Sequence, residues 1–261
     1  MKEMESRVSK FPRELRHVGG SLVWEGLLRR LNLEFSEESR QNLLAANLLL
    51  KKYSEVVYVN HTSSMEDMEL PVSMVLTFLT NTKRIIGPVA MQHYDPGRDW
   101  KNAVLLRLLK PLGIEIFPIV QPVGIDEKAT MYSDEKTLQM SADLRTATTN
   151  AVRNPGTVFG ITPEGTRSPN GRLLPARKGI GYLESYDPSD TLRYIPVAIV
   201  LKKFYSSPKI EVGQPLSLGE MNINNKTLPE DPKERAQILA NAHMQRLAGM
   251  LPLEMRGVYK V

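Results

Sequence analysis

The chain has 261 residues, 41% of them hydrophobic and 24% charged, a globular composition that argues against disorder and allows a sizeable core. A formal charge of +5 and a pI near 9.3 favour anionic partners, phosphate groups or acidic lipid surfaces, without choosing between them. There is no cysteine, which excludes a disulfide scaffold, a thiolate zinc site and a cysteine nucleophile, and makes a cytoplasmic setting the default expectation.

Met1 to His17 is charged throughout and has no signal-peptide apolar core. From Ser21 the apolar residues Leu22, Val23, Trp24, Leu27, Leu28 and Leu31 recur at spacings of three and four, which predicts a short amphipathic helix. Two placements fit it. Either it packs on the core, or it lies as a basic helix with Trp24 at a bilayer boundary. A second helix is expected from Ser36 or Ser39 to Lys52, with Lys51-Lys52 favourable at its C-terminus. The longest apolar stretches, around Leu43–Leu50 and Val72–Leu79, fall short of the roughly 18 residues of a spanning helix, so membrane contact is expected to be peripheral.

From Val56 the pattern changes to strands alternating with helices. Strands are expected at Val56–Asn60, Arg84–Ala90, Ile114–Val120, Thr157–Ile161, Tyr194–Val200 and Lys209–Val212. Helices are expected at Met74–Leu79, Trp100–Leu109, Leu138–Val152, Gly179–Ser185 and Glu234–Leu251. Gln121–Glu135 is the longest irregular stretch and fits a loop over a site. This alternation implies an α/β fold with a mixed, largely parallel sheet flanked by helices. Residues 1–52 then form an N-terminal helical extension, and 53–261 a single α/β domain.

Two strand ends carry residues suited to chemistry. The first reads Val59-Asn60-His61-Thr62-Ser63-Ser64-Met65-Glu66-Asp67. A histidine at a strand end, followed closely by carboxylates, can take a proton from a hydroxyl while a carboxylate fixes its tautomer. The same residues also fit a purely structural role. Ser63-x-x-Glu66 and Ser64-x-x-Asp67 are capping boxes, and Pro71 suits the first turn of the helix that follows. The second end reads Thr162-Pro163-Glu164-Gly165-Thr166-Arg167-Ser168, leading to Arg172, Arg177 and Lys178. Gly165 permits a tight turn, Arg167 offers a planar fork for a phosphate, and a helix starting near Gly179 would add an anion-favouring terminus. Alternatively Glu164 and Arg167 pair with each other in a solvated basic loop. In an open α/β sheet, ligands bind at such strand ends, so the functional reading requires the two to lie together.

Other chemistries lack their motifs. There is no Gly-x-Ser-x-Gly elbow, no phosphate-binding Gly-x-x-x-x-Gly-Lys loop, and only an incomplete dinucleotide fingerprint at Gly179-Ile180-Gly181. His17, His93 and His243 have no ligand spacing, so no metal is expected. The Leu239, Met244, Leu247, Leu251 stripe reads as core.

In this order, the segments resemble the glycerolipid acyltransferase family that includes 1-acylglycerol-3-phosphate acyltransferases. The family's third motif matches as Pro163-Glu164-Gly165-Thr166-Arg167-Ser168 with Lys178-Gly179 following, and its fourth as Ile195-Pro196-Val197-Ala198. Leu251 to Tyr259 is similar to the family's C-terminal end, and the resemblance covers roughly Tyr53 to Tyr259. The first motif ends in Glu66 where the family usually has aspartate, so Glu66 or Asp67 would orient His61. In the second, Met91 stands near a common lysine and Pro118-Ile119 near a common acceptor-binding arginine.

The resemblance implies an acyltransferase that moves a fatty acyl group from acyl-CoA or acyl-carrier protein to a hydroxyl of a lysophospholipid or related lipid, at the membrane surface. His61 would be the general base. Glu164, Gly165, Thr166, Arg167 and Lys178 would form the substrate-binding part, with Arg167 on a phosphate and Glu164 and Gly165 shaping the loop. No cofactor beyond the thioester donor, no metal and no nucleic acid is implied. The altered first two motifs leave two alternatives: a lipid-binding protein without catalysis on the same fold, and an acyltransferase for a non-phosphate acceptor.

Overall fold

The structure, a computed structural model, describes residues 13–61, 66–90, 113–119, 134–201, 208–221, 223 and 228–260. In chain order these form α1 (Arg13–Leu31), β1 (Glu34–Phe35), α2 (Glu37–Leu49), β2 (Glu55–Val59), α3 (Glu66–Phe78), β3 (Arg84–Ala90) and β4 (Ile114–Ile119). They continue with α4 (Asp134–Arg153), β5 (Thr157–Ile161), β6 (Arg193–Val200), β7 (Lys209–Val212) and α5 (Pro232–Gly249). The expected helix Trp100–Leu109, most of the Gln121–Glu135 loop, and Met91 lie outside the described residues.

The strands make one seven-stranded sheet in the order β1-β7-β6-β2-β5-β3-β4. Every pairing is parallel except β6 with β7. The result is an α/β fold with a mixed, largely parallel sheet. Parallel strands covered by helices on both faces read as continuous apolar runs, because neither face meets water. Accordingly all five residues of β2 are buried. Alternation then divides the core. Val56, Tyr58, Tyr194, Ala198 and Val200 face α4 and α5, while Val57, Val59, Ile195, Val197 and Ile199 face the layer of α1, α2 and α3. Pro196, which lacks an N–H, sits where the β6–β7 ladder ends, and its carbonyl accepts from Gly213 N–H at 2.9 Å.

Two helix starts are set by side-chain caps, which satisfy amides the helix leaves open. Ser36 Oγ accepts from Ser39 N–H at 3.1 Å to open α2, and Asp231 accepts from Glu234 N–H at 2.8 Å to open α5, with Pro232 in its first turn. Asn42 and Ser39 then bond the main chain of Val212, joining α2 to β7. The stripe Leu239, Met244, Leu247 and Leu251 is fully in the core, as its spacing predicts.

Of the two placements open to the first helix, packing on the core is the one observed, and two other expectations are corrected. Trp24 is wholly buried, packed edge-on against Phe35 at 5.1 Å and Phe78 at 5.7 Å between ring centres. The helix is also longer than predicted, starting at Arg13, and is apolar on more than one side, so spacing alone did not decide which side faces in. Pro71 does not open a helix. It lies inside α3, which begins five residues earlier at Glu66, and is buried there. Finally, the segment expected as a helix from Gly179 to Ser185 is a 3-10 helix of six residues, Gly181–Tyr186. Its start is pressed on α5: a Cβ on Gly181 would lie 1.8 Å from the Ala236 carbonyl oxygen, and Glu184 is paired with Arg235.

Candidate functional site

Strand direction brings the two predicted ends together. β2 and β5 are parallel neighbours, with Tyr58 level with Ile161, so the chain leaves both at the same edge of the sheet. His61 stands two residues beyond β2 and Glu164 three beyond β5. There the Glu164 carboxylate accepts the His61 main-chain N–H at 2.6 Å with one oxygen and the Leu174 N–H at 2.7 Å with the other. Glu164 is 1% exposed, so an ionised carboxylate here depends on such charge-assisted bonds for its solvation. The His61 and Glu164 segments are therefore joined by one buried side chain.

Around that carboxylate the chain is folded tightly. Gly165 has φ +66°, and its N–H closes a turn on the Thr162 carbonyl at 3.0 Å. A Cβ there would be strained and would meet Arg177 Cγ at 3.1 Å, so glycine is the residue that fits. The Pro163 carbonyl accepts from Arg177 N–H at 2.8 Å, which brings the basic end of the loop back beside its start. Between them, Asn170 Oδ1 accepts from Arg172 N–H at 3.1 Å and from the buried Ser168 hydroxyl at 3.2 Å. Arg167, Arg172 and Arg177 are exposed, while Thr166 and Lys178 are half-buried. One short loop, tied to His61 through Glu164, thus carries three exposed arginines and a half-buried lysine, side chains suited to a phosphate. The anion-favouring helix terminus expected near Gly179 is absent, because a six-residue 3-10 segment aligns too few peptides to build one.

His61 itself is half-buried. Glu66 and Asp67 begin α3, but their side chains, together with residues 62–65, lie outside the described residues. Among the described residues no cluster of three His, Asp or Glu could hold a metal ion. A groove between β4 and α4, lined by Arg84, Ile116, Phe117, Met140, Asp143 and Thr146 among others, contains none of the predicted site residues.

Residues with little signature in the sequence also hold this edge in shape. Asn60 is buried, and its side chain donates to Ile199 O at 2.9 Å and accepts from Ile199 N–H at 2.7 Å. It continues the β2–β6 pairing by one step where the ladder stops at Val59 and Val197, just before His61. A polar amide at the end of an otherwise apolar strand was the available signal. The main-chain N–H groups of His61 and Leu174, which receive Glu164, carry no side-chain signature at all. No family model and no curated protein matches the chain.

Proposed function

We propose that the protein is an acyltransferase that moves a fatty acyl group from an acyl thioester, acyl-CoA or acyl-carrier protein, to a hydroxyl of a lysophospholipid or related lipid. The observation that supports it is the Glu164 bridge to His61 N–H, which unites the histidine with the arginine-bearing turn at one strand-end site. In this reading His61 takes the proton of the acceptor hydroxyl as its oxygen attacks the thioester carbonyl carbon. The tetrahedral intermediate then collapses, the C–S bond breaks, and the thiolate leaves with the proton returned by the imidazolium. Glu66 or Asp67 would orient the imidazole, and Arg167 with Lys178 would hold a phosphate of the acceptor or the carrier. Glu164 acts through the main chain, shaping the loop.

A peripheral membrane setting accords with the described surface. No described helix is long and apolar enough to cross a membrane. α1 exposes Val18, Leu22 and Val23, followed by exposed Arg29 and Arg30, an apolar strip with a basic end.

The test is thioester turnover. The purified protein is incubated with acyl-CoA or acylated carrier protein and a panel of lyso-lipids, and free thiol and lipid products are measured. Thiol release that requires a lipid acceptor is expected, and His61→Ala is expected to lower it by about 10²–10⁴-fold with unchanged thermal unfolding. Retained turnover in that variant refutes His61 as the base. Lipid binding with no thiol release at all would favour the non-catalytic alternative raised by Glu66 in the first motif and by Met91 and Pro118-Ile119 in the second.

A further inference from the structure

The turn that carries Glu164 is itself held from behind. The return segment Leu173–Arg177 is bonded alternately to two partners. Leu174 and Arg177 donate forward, to Glu164 Oε2 at 2.7 Å and to the Pro163 carbonyl at 2.8 Å. Leu173 and Ala176 donate backward, to the Met255 carbonyl at 2.7 Å and to Tyr259 Oη at 2.8 Å. The Tyr259 hydroxyl in turn donates to Asn241 Oδ1 at 3.2 Å, and Gln237 Nε2 donates to the Ala176 carbonyl at 3.1 Å. Gly257 lets the two segments touch: its φ is +55°, and a Cβ would stand 1.9 Å from the Leu173 carbonyl oxygen. Met255 and Tyr259 are buried in the same core as Leu173 and Ala176, so this contact is packed as well as hydrogen-bonded.

We propose that the segment Leu251–Tyr259 is a positioning element of the site, in which Tyr259 and Gly257 fix Leu173–Arg177 and thereby aim Glu164 at the His61 main chain. The path has three direct contacts: Tyr259 Oη to Ala176, Leu174 to Glu164, and Glu164 to His61. The ring of Tyr259 anchors the segment in the core, and its hydroxyl sets the height of the loop above the sheet edge. Its importance for catalysis rests on the acyl-transfer reading, but the brace itself does not.

Hydrogen exchange on the full chain therefore decides it, with peptides covering 55–61 and 171–178 compared with those from β6. Tyr259→Phe keeps the ring in place and removes only the hydroxyl. It is expected to speed exchange at the His61 and Leu174 amides by about tenfold or more while β6 exchanges as in the parent chain. Gly257→Ala, which pushes directly on Leu173, is expected to do the same where it folds. Parent-like exchange in both peptides of Tyr259→Phe overturns the proposal. So does equal acceleration everywhere, since the segment would then stabilise the whole fold and not the loop. In the acyl-transfer assay, Tyr259→Phe is expected to lower kcat about tenfold with the thioester KM changed less than twofold, and an unchanged kcat despite faster exchange overturns the positioning role. A parent chain inactive on every thioester would remove the acyl-transfer reading and leave the exchange result to decide the brace.

Discussion

His243 shows how strongly one residue's surroundings can decide its chemistry. It is 1% exposed on α5, with its ring 4.4 Å from that of Tyr194 and 5.2 Å from that of Tyr58. Burial, helped by the nearby Arg246 charge, pushes its pKa down from 6.5 to about 3. It is therefore a neutral core residue at physiological pH and unsuited to act as a general base there. The sign of the linkage follows. The folded pKa lies below the unfolded one, so the stability due to a neutral His243 is fully present above pH 6.5 and is lost as pH falls toward about 3. The expected slope from this group is about 1.4 kcal/mol per pH unit. Urea unfolding between pH 7 and 4 checks this, with His243→Leu expected to fall less steeply than the parent chain. Parallel curves would show that His243 contributes nothing to acid sensitivity. Glu55 is the opposite case, a buried carboxyl in β2 that desolvation holds well above the usual carboxylate range against the pull of Arg193. Charge class alone would have put both on the surface.

Individual elements were legible to different degrees. Bounds for β3, β5 and β7 coincide with the sequence reading, because short runs of Ile, Val and Phe bounded by turn residues have few other ways to be satisfied. β1 was passed over. Its two residues, Glu34-Phe35, become a strand only by pairing with β7, a partner 175 positions on from Glu34 at Lys209. The start of α1 was missed as well, since Gly19-Gly20 interrupts the apolar pattern. The reason for one of those glycines is tertiary. A Cβ on Gly20 would lie 2.5 Å from Leu76 Cβ and 3.3 Å from its Cα, so α1 crosses α3 at backbone contact. Gly20→Ala is expected to force the helices apart and cost about 1–3 kcal/mol, against the fraction of a kcal/mol it would gain in helix propensity. The measure is thermal unfolding, where a drop of several degrees is expected and an unchanged or raised Tm would refute the close crossing.

At the scale of the molecule, both helix layers leave some large apolar side chains exposed, among them Leu138 on α4 and Ile238 on α5. The layer of α4 and α5 buries His243 and the two tyrosines, while α1 turns Trp24 inward and leaves Leu22 72% exposed, with Val18 and Val23 more than half exposed. If α1 meets lipid, it does so through this outer strip and not through Trp24. Leu22→Glu is then expected to weaken binding to vesicles containing anionic phospholipid by about tenfold, with no change in Tm, because the side chain has little packing to lose. Co-sedimentation at fixed ionic strength reads this out, and equal binding by the variant would exclude this face. The strand-end site at Glu164 and His61 lies at one edge of the same sheet, within one continuous body of packed elements.

What the sequence determined by itself was local: alternating β and α periodicity, a turn at Gly165, a basic loop, and a histidine at a strand end. Each follows from residue type and near neighbours, since backbone sterics and burial patterns act over a few positions. Only the tertiary structure decided that β2 and β5 are adjacent and parallel, that Glu164 reaches His61 across 103 positions, and that Tyr259 supports the loop from 83 positions further along. Those contacts end on main-chain N–H groups, which every residue but proline carries. Nothing in the spelling of His61, Leu174 or Ala176 could announce them, and only the fold could choose their partners.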